Sequence, residues 1–174
     1  MTREELAKAI YESSHITGEF KLRSGMTSNE YFDKYLFESQ PELLLEICNH
    51  IIDILPDNFD VLAGLEMGGI PIATMLSQLI GKPVCFVRKN AKEYGTCKLA
   101  EGTDIKDQKL LIVEDVITSG GQVVISTDEL RRRGAIITNA ICVIDRESGG
   151  SQNLAEKGIE IKPLFTMSEI KSLL

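Results

Sequence analysis

The chain has 174 residues, 43% of them hydrophobic, which suits one globular domain with a real core. Twenty-six acidic against nineteen basic side chains leave a formal net charge of −7, which argues against general binding to nucleic acid or acidic membranes. No apolar run approaches membrane-spanning length and the first residues lack a signal peptide's apolar stretch, so a soluble, cytoplasmic protein is expected.

Thr2 and Glu5 have the spacing of a capping box, and Leu6 and Ile10 share a face, which predicts a helix over 2–13. Residues 16–38 are mixed, with short aromatic-rich pieces such as EYFDKYLF. PELLLEICNHIIDIL (41–55) predicts a stronger helix, with Leu43, Ile47, Ile51 and Ile54 as its inward stripe. From residue 60 strands and helices alternate as in α/β proteins. DVLAGLE (60–66), PVCFVRK (83–89), KLLIVED (109–115) and AIITNAICVID (135–145) predict strands, the third being a continuous apolar run suited to the centre of a parallel sheet. Helices are predicted over 69–81, with Pro71 in the first turn and Gly81 as the stop, and over 121–133, ended by Gly134. A short strand near 160–165 and a capped helix from Ser168 close the chain.

The stretch between residues 89 and 109, NAKEYGTCKLAEGTDIKDQ, has weak periodicity and much charge. Loops this long are uncommon in compact domains unless they are functional, so a lid is expected, with a solvated hairpin as the alternative. Cys48, Cys85, Cys97 and Cys142 are widely spaced, with no CxxC pair and no companion histidines, so free thiols are expected. His15 and His50 match no catalytic pattern. The arginine run 131–133 ends a helix, where cations complement the helix dipole.

The stretch LLIVEDVITSGGQ (110–122) carries the chemistry. Ligands of parallel sheets bind beyond the C-terminal strand ends, and Glu114 and Asp115 sit at such an end. Thr118, Ser119, Gly120 and Gly121 then lead into a helix, where hydroxyls and backbone N–H groups suit a phosphate. Two carboxylates would repel that phosphate, but ionised they are pure acceptors for two neighbouring hydroxyls. A phosphate plus a vicinal diol describes a ribose 5-phosphate. There is no GxxxxGK(S/T) motif for a P-loop kinase and no GxGxxG after the first strand for a dinucleotide.

VEDVITSGG resembles the signature with which type I phosphoribosyltransferases bind 5-phosphoribosyl 1-diphosphate (PRPP). FKLRSGMTSNEYFDKY (20–35), GLEMGGIPIA (64–73), VRKNAKEYGT (87–96), VIDRESGG (143–150) and LFTMSEI resemble the orotate branch of that family, and the likeness spans almost the whole chain. The resemblance implies an α/β fold of the type I phosphoribosyltransferase kind, a central, mostly parallel sheet flanked by helices. A small hood from about 1–40 and 146–174 would cover the sheet's C-terminal edge, and about 89–108 would form a flexible catalytic loop. The implied reaction joins N1 of orotate to the ribose of PRPP, giving orotidine 5′-monophosphate and pyrophosphate in pyrimidine biosynthesis. Mg2+ is implied, held chiefly by PRPP oxygens and water, with few or no direct protein ligands to the metal expected. A homodimer sharing its active sites is implied, with neither nucleic acid nor membrane as partner.

Carried over by resemblance, Lys92 is the loop lysine that matters most for turnover, and Asp115 joins it as the second catalytic residue. PRPP contacts are expected from Arg23, Arg88, Lys89, Lys92, Glu114, Asp115, Val116, Ile117, Thr118, Ser119, Gly120, Gly121 and Gln122, with Arg88 serving its own subunit and Lys89 reaching across the dimer. Orotate contacts are expected from Arg146, Thr118, Tyr31 and Phe32. A guanidinium at Arg146 would grip the carboxylate in a bidentate way. An ion pair of Arg146 with Asp145 or Glu147 is the alternative, as is a plain core role for Tyr31 and Phe32. Tyr94 stands where some members have a loop histidine. Met67 and Gly68 stand where some have a tyrosine–lysine pair, so pyrophosphate contacts there would come from backbone N–H groups around Glu66 to Gly69. Two other readings remain: a PRPP- or nucleotide-sensing, RNA-binding regulator on the same fold, and a phosphoribosyltransferase for another base.

Overall fold

The computed structural model describes residues 1–21, 25–91 and 98–174, so Arg23, Lys92, Tyr94 and Cys97 lie outside the described residues. The capping box forms: Thr2 Oγ1 accepts from Glu5 N–H at 3.2 Å and Glu5 accepts from Thr2 N–H at 2.7 Å, starting α1 (Arg3–Ser14). Next come β1 (His15–Lys21) and β2 (Thr27–Phe32), an antiparallel pair whose largely exposed residues leave no apolar alternation to read. Asp33 accepts from Tyr35 N–H at 3.1 Å and caps α2 (Lys34–Glu38). The amphipathic α3 (Pro41–Ile52) ends slightly short of the predicted 55.

The α/β alternation follows with β3 (Val61–Leu65), α4 (Gly69–Ile80), β4 (Val84–Val87), β5 (Ala100–Gly102), β6 (Lys109–Ile117), α5 (Gly121–Arg132), β7 (Ile136–Asp145), α6 (Gly150–Ala155), β8 (Glu160–Thr166) and α7 (Met167–Ser172). Gly81 ends α4 at φ 69°, the left-handed turn expected of a glycine stop. The sheet order is β5-β4-β3-β6-β7-β8, with every pairing parallel except β4–β5. About 89–108 was expected as a flexible loop, with a hairpin as the alternative; its later part carries β5, which pairs antiparallel along β4 from Val87↔Ala100 to Cys85↔Gly102. Three paired residues at a sheet edge are too few to show a period.

Adjacent strand residues alternate between two covered faces. Leu62, Leu111, Val113 and Ile141 pack with Leu6, Ile10, Ile47, Leu76 and Ile170. Val61, Ala63, Leu110, Ile112 and Cys142 pack on the other side with Val123, Leu130 and Leu154. Burial on both faces is why these strands read as continuous apolar runs. Cys48, Cys85 and Cys142 are free and buried, and burial pushes the Cys48 and Cys85 thiols up to about 12. Arg3 ties the two ends of the chain together, donating to Leu164 O at 2.5 Å and to Glu169 at 2.8 Å. No helix among the described residues is long and apolar enough to cross a membrane.

The connections set the site. From β3 the chain moves outward through β4 and β5, then returns to lay β6 on the other side of β3 and moves outward again through β7 and β8. The crevice at the C-terminal ends of β3 and β6 is therefore the switch point, where open α/β sheets bind ligands.

Candidate active site

β6 runs two residues past the acidic pair to Ile117, so the carboxylates lie within the strand rather than at its end. Its pairing with β3 stops at Gly64↔Val113, whereas its pairing with β7 continues from Glu114↔Cys142 to Ile117↔Asp145. Beyond Val113 β6 therefore has no strand partner on its β3 side, and a cleft opens there. Its walls are Lys34, Tyr35, Glu66, Met67, Lys89 and Glu114, with Val116 to Val123 along the floor. Gly120 starts α5 at φ 72° and no side chain caps the helix, which leaves first-turn N–H groups for an anion. A Cβ at position 120 would also overlap Leu154. Asn153 Nδ2 holds the loop by donating to Ser119 O at 2.8 Å.

The two acids face different surroundings. Glu114 lines the cleft, whereas Asp115 is fully buried at 0% exposure. Asp115 Oδ1 accepts from Val116 N–H at 2.5 Å, and its Oδ2 meets Lys34 Nζ at 2.6 Å. Glu38, 8% exposed, brings Oε1 to the same place, beside Gly68, where any Cβ would overlap Asp115. With both acids ionised, Glu38 Oε1 would be a buried acceptor lacking a hydrogen-bond donor, set against the Asp115 carboxylate whose Oδ2 Lys34 already holds. A proton on Glu38 removes the conflict. Burial, then the hydrogen bond to Asp115 and its charge, pushes Glu38 up to about 9. Burial and Asp115 likewise push Glu114 well above the usual carboxylate range. Burial would raise Asp115 too, but the Glu114 hydrogen bond and Lys34 outweigh it and hold its carboxyl low. Asp115 in turn keeps Lys34 charged against its own burial. At neutral pH Glu38 thus holds a proton, Asp115 is the carboxylate paired with the Lys34 ammonium, and burial favours the protonated form of Glu114.

A second cleft adjoins the first, because Arg146 N–H donates to Ile117 O at 2.9 Å. It is lined by Tyr11, His15, Ser28, Glu30, Tyr31, Phe32, Arg146, Met167 and Lys171. Asp145 is occupied by Glu147 N–H and Ser151 Oγ, and Glu147 by Ser168. Among the described residues neither forms the ion pair with Arg146 that was the alternative for that side chain. Tyr31 is 45% exposed, so it is not a core aromatic, whereas Phe32 is half-buried and packs against the core and Tyr11. His15 stacks on Tyr11 at 4.7 Å and bonds Glu30 at 2.9 Å.

Thus Lys89, Glu114, Val116, Ile117, Thr118, Ser119, Gly120, Gly121 and Gln122 share one cleft, and Tyr31, Phe32 and Arg146 share its neighbour. Thr118 lines the first cleft, not the second. Arg88 is not brought to either: it sits 3.5 Å from Glu101 beside Ile70 and Phe86, on the opposite side of the strand end from Lys89. Lys34, Glu38 and Lys171 were missed. The only local signal for the first two was Asp33, a helix cap placing both on one short turn. The arginine run 131–133 serves the chain's own groups: Arg131 donates to Lys157 O and Ile137 O, and Arg132 and Arg133 pair with Glu129.

Comparison with known proteins agrees with this architecture. The phosphoribosyl transferase domain model matches residues 38–164. The chain is 50% identical over 165 residues to the orotate phosphoribosyltransferase of a Nocardioides species, covering 95% of this chain and 92% of that one. It is 42% identical over 168 residues to the orotate phosphoribosyltransferase of Halobacterium salinarum, covering 96% and 95%. A crystal structure of Mycobacterium tuberculosis orotate phosphoribosyltransferase in complex with Fe(III) dicitrate matches with a TM-score of 0.87 at 26% identity, covering 97% and 98%. By domain match, by identity and by fold, the chain belongs to the phosphoribosyltransferase family, in its orotate branch.

Proposed function

We propose that the chain transfers the ribose 5-phosphate of PRPP to N1 of orotate, releasing pyrophosphate and forming orotidine 5′-monophosphate. The observation that carries this reading is the pairing of clefts. One joins carboxyls to an uncapped helix start at the β3–β6 switch point, and the adjoining one presents Arg146 without an ion-pair partner among the described residues. The first suits a sugar phosphate, with the α5 start taking the 5-phosphate and the acids the hydroxyls. The second suits a flat, anionic base.

As the bond at the sugar breaks, positive charge grows on the ribose and negative charge on the departing diphosphate. A carboxylate buried beside the sugar stabilises the former, and Lys89 with the lid lysine Lys92 the latter, more strongly once water is excluded. Among the described residues no three His, Cys, Asp or Glu side chains converge on a metal cage. The cleft's Glu66 nevertheless suits Mg2+, which takes one or two carboxylates plus substrate phosphates and keeps its waters. Bound with PRPP, the ion would neutralise the diphosphate. The same reading takes the enzyme as a cytoplasmic homodimer without nucleic-acid partners; light scattering should give about twice the 19.3 kDa chain mass. An RNA-binding regulator is not favoured by the net charge of −7.

The test is pyrophosphate release from PRPP with magnesium, offering orotate, uracil, adenine and hypoxanthine in turn. Orotate alone should support release. Turnover of a purine, or none with orotate, would overturn the assignment.

A further inference from the structure

We propose that Lys34 is a movable cation of this site: in the empty protein its ammonium occupies Asp115, and when PRPP binds, the sugar hydroxyls take that carboxylate and the ammonium turns to the diphosphate. The inference rests on the PRPP reading above and names a residue that reading does not use.

Asp115 cannot meet a hydroxyl as it stands. It is wholly enclosed, and of the two acids only Glu114 lines the cleft. Oδ1 is taken by Val116 N–H, a backbone group fixed within β6. Oδ2 is covered by Lys34, at 2.6 Å, by the buried Glu38 and by the Gly68 backbone. Of these covers Lys34 is the one free to swing. Its backbone is anchored at the first residue of α2 by the Asp33 cap, while its side chain is 32% exposed and itself lines the cleft.

The cleft also needs that cation. Its only described lining cations are Lys34 and Lys89, facing the carboxyls of Glu66 and Glu114. The Glu66–Gly68 turn brings no cation, and neither does the start of α5. A diphosphate entering here meets too little positive charge while Lys34 is spent on Asp115. The exchange leaves nothing buried and unpaired: hydroxyls replace the ammonium as donors to Oδ2, and phosphoryl oxygens replace Oδ2 as its partner. It requires both ends of the ligand. A ribose 5-phosphate supplies hydroxyls but no diphosphate, so it must pull Lys34 away with nothing to receive it.

The experiment is calorimetric titration of Mg2+-PRPP and of ribose 5-phosphate into wild type, Lys34→Met, Asp115→Asn and the double variant. Lys34→Met should weaken PRPP by at least about tenfold, the worth of one charge-assisted contact, and should leave ribose 5-phosphate unchanged or tighter. Equal weakening of both ligands, or unchanged PRPP binding, overturns the proposal. Lys34→Met strands a buried carboxylate and can cost the fold, so the double variant provides a neutral pair. Against Asp115→Asn alone, it too should lose at least about tenfold in PRPP affinity, and equal affinities overturn the proposal. Wild type that binds neither ligand overturns the PRPP reading itself, and the inference with it.

Discussion

Glu38→Gln tests the acid cluster through stability rather than activity. Glu38 lies on α2, facing Asp115 on β6, with Lys34 on its own helix and Asp33 capping that helix. Its carboxyl titrates at about 9 in the folded protein against an ordinary 4.5. Between those values the folded state holds a proton that the unfolded state has released. Stability from this group is therefore full below about pH 4.5 and is lost as pH rises toward about 9. The slope is at most about 1.4 kcal/mol per pH unit, so the ceiling from pH 5 to pH 8 is about 4 kcal/mol. Glutamine keeps a donor, an amide N–H in place of the acid O–H, and does not titrate. Urea unfolding at pH 5, 6, 7 and 8 should show wild type losing up to about 4 kcal/mol more than the variant across that range. Some slope will remain in both proteins, because Glu114 is raised in the same direction. Asp115 is held low and titrates below the window. Parallel curves for the two proteins would refute a proton held on Glu38.

Two further outcomes bear on the proposed reaction. Arg146→Ala should raise KM for orotate roughly ten- to a hundredfold, the loss of a bidentate charged contact, while KM for PRPP changes far less; a matched rise in both would make Arg146 structural. Lys92→Ala should lower turnover by about two to three orders of magnitude, as removal of a transition-state charge contact does, with little change in melting temperature; near-normal turnover would remove the lid lysine from the mechanism.

The parts of the fold that were legible are those whose local pattern coincides with their burial. β6 and β7 are covered on both faces, so their apolar runs could mean little else, and α4 carried its own start and stop in Pro71 and Gly81. The hairpin of β1 and β2 was not legible because exposed strands leave no alternation, and the six-residue α6 begins behind a glycine that supplies no side-chain cap. At the site, the acids and the loop through Gln122 were legible because their chemistry is contiguous. Arg88 was expected to serve its own subunit and Lys89 to reach across a dimer, yet the strand period that Phe86 and Val87 carry turns Lys89 into this chain's cleft and Arg88 away from it.

What remained hidden was the residue set that decides the charge of the cluster. On β6 alone, Glu114 and Asp115 would be two adjacent carboxylates, an arrangement that would repel a phosphate placed beside it. α2 changes that: Glu38 adds a third carboxyl that keeps its proton, and Lys34 supplies the ammonium that makes Asp115 the one to ionise. Neither residue has a pattern of its own, because each acts only through contacts made across the fold, and Gly68 lets them approach by bringing no side chain between. In the proposed reaction the strand motif thus supplies the groups that would meet the ligand, while the short helix packed over it sets their protonation state.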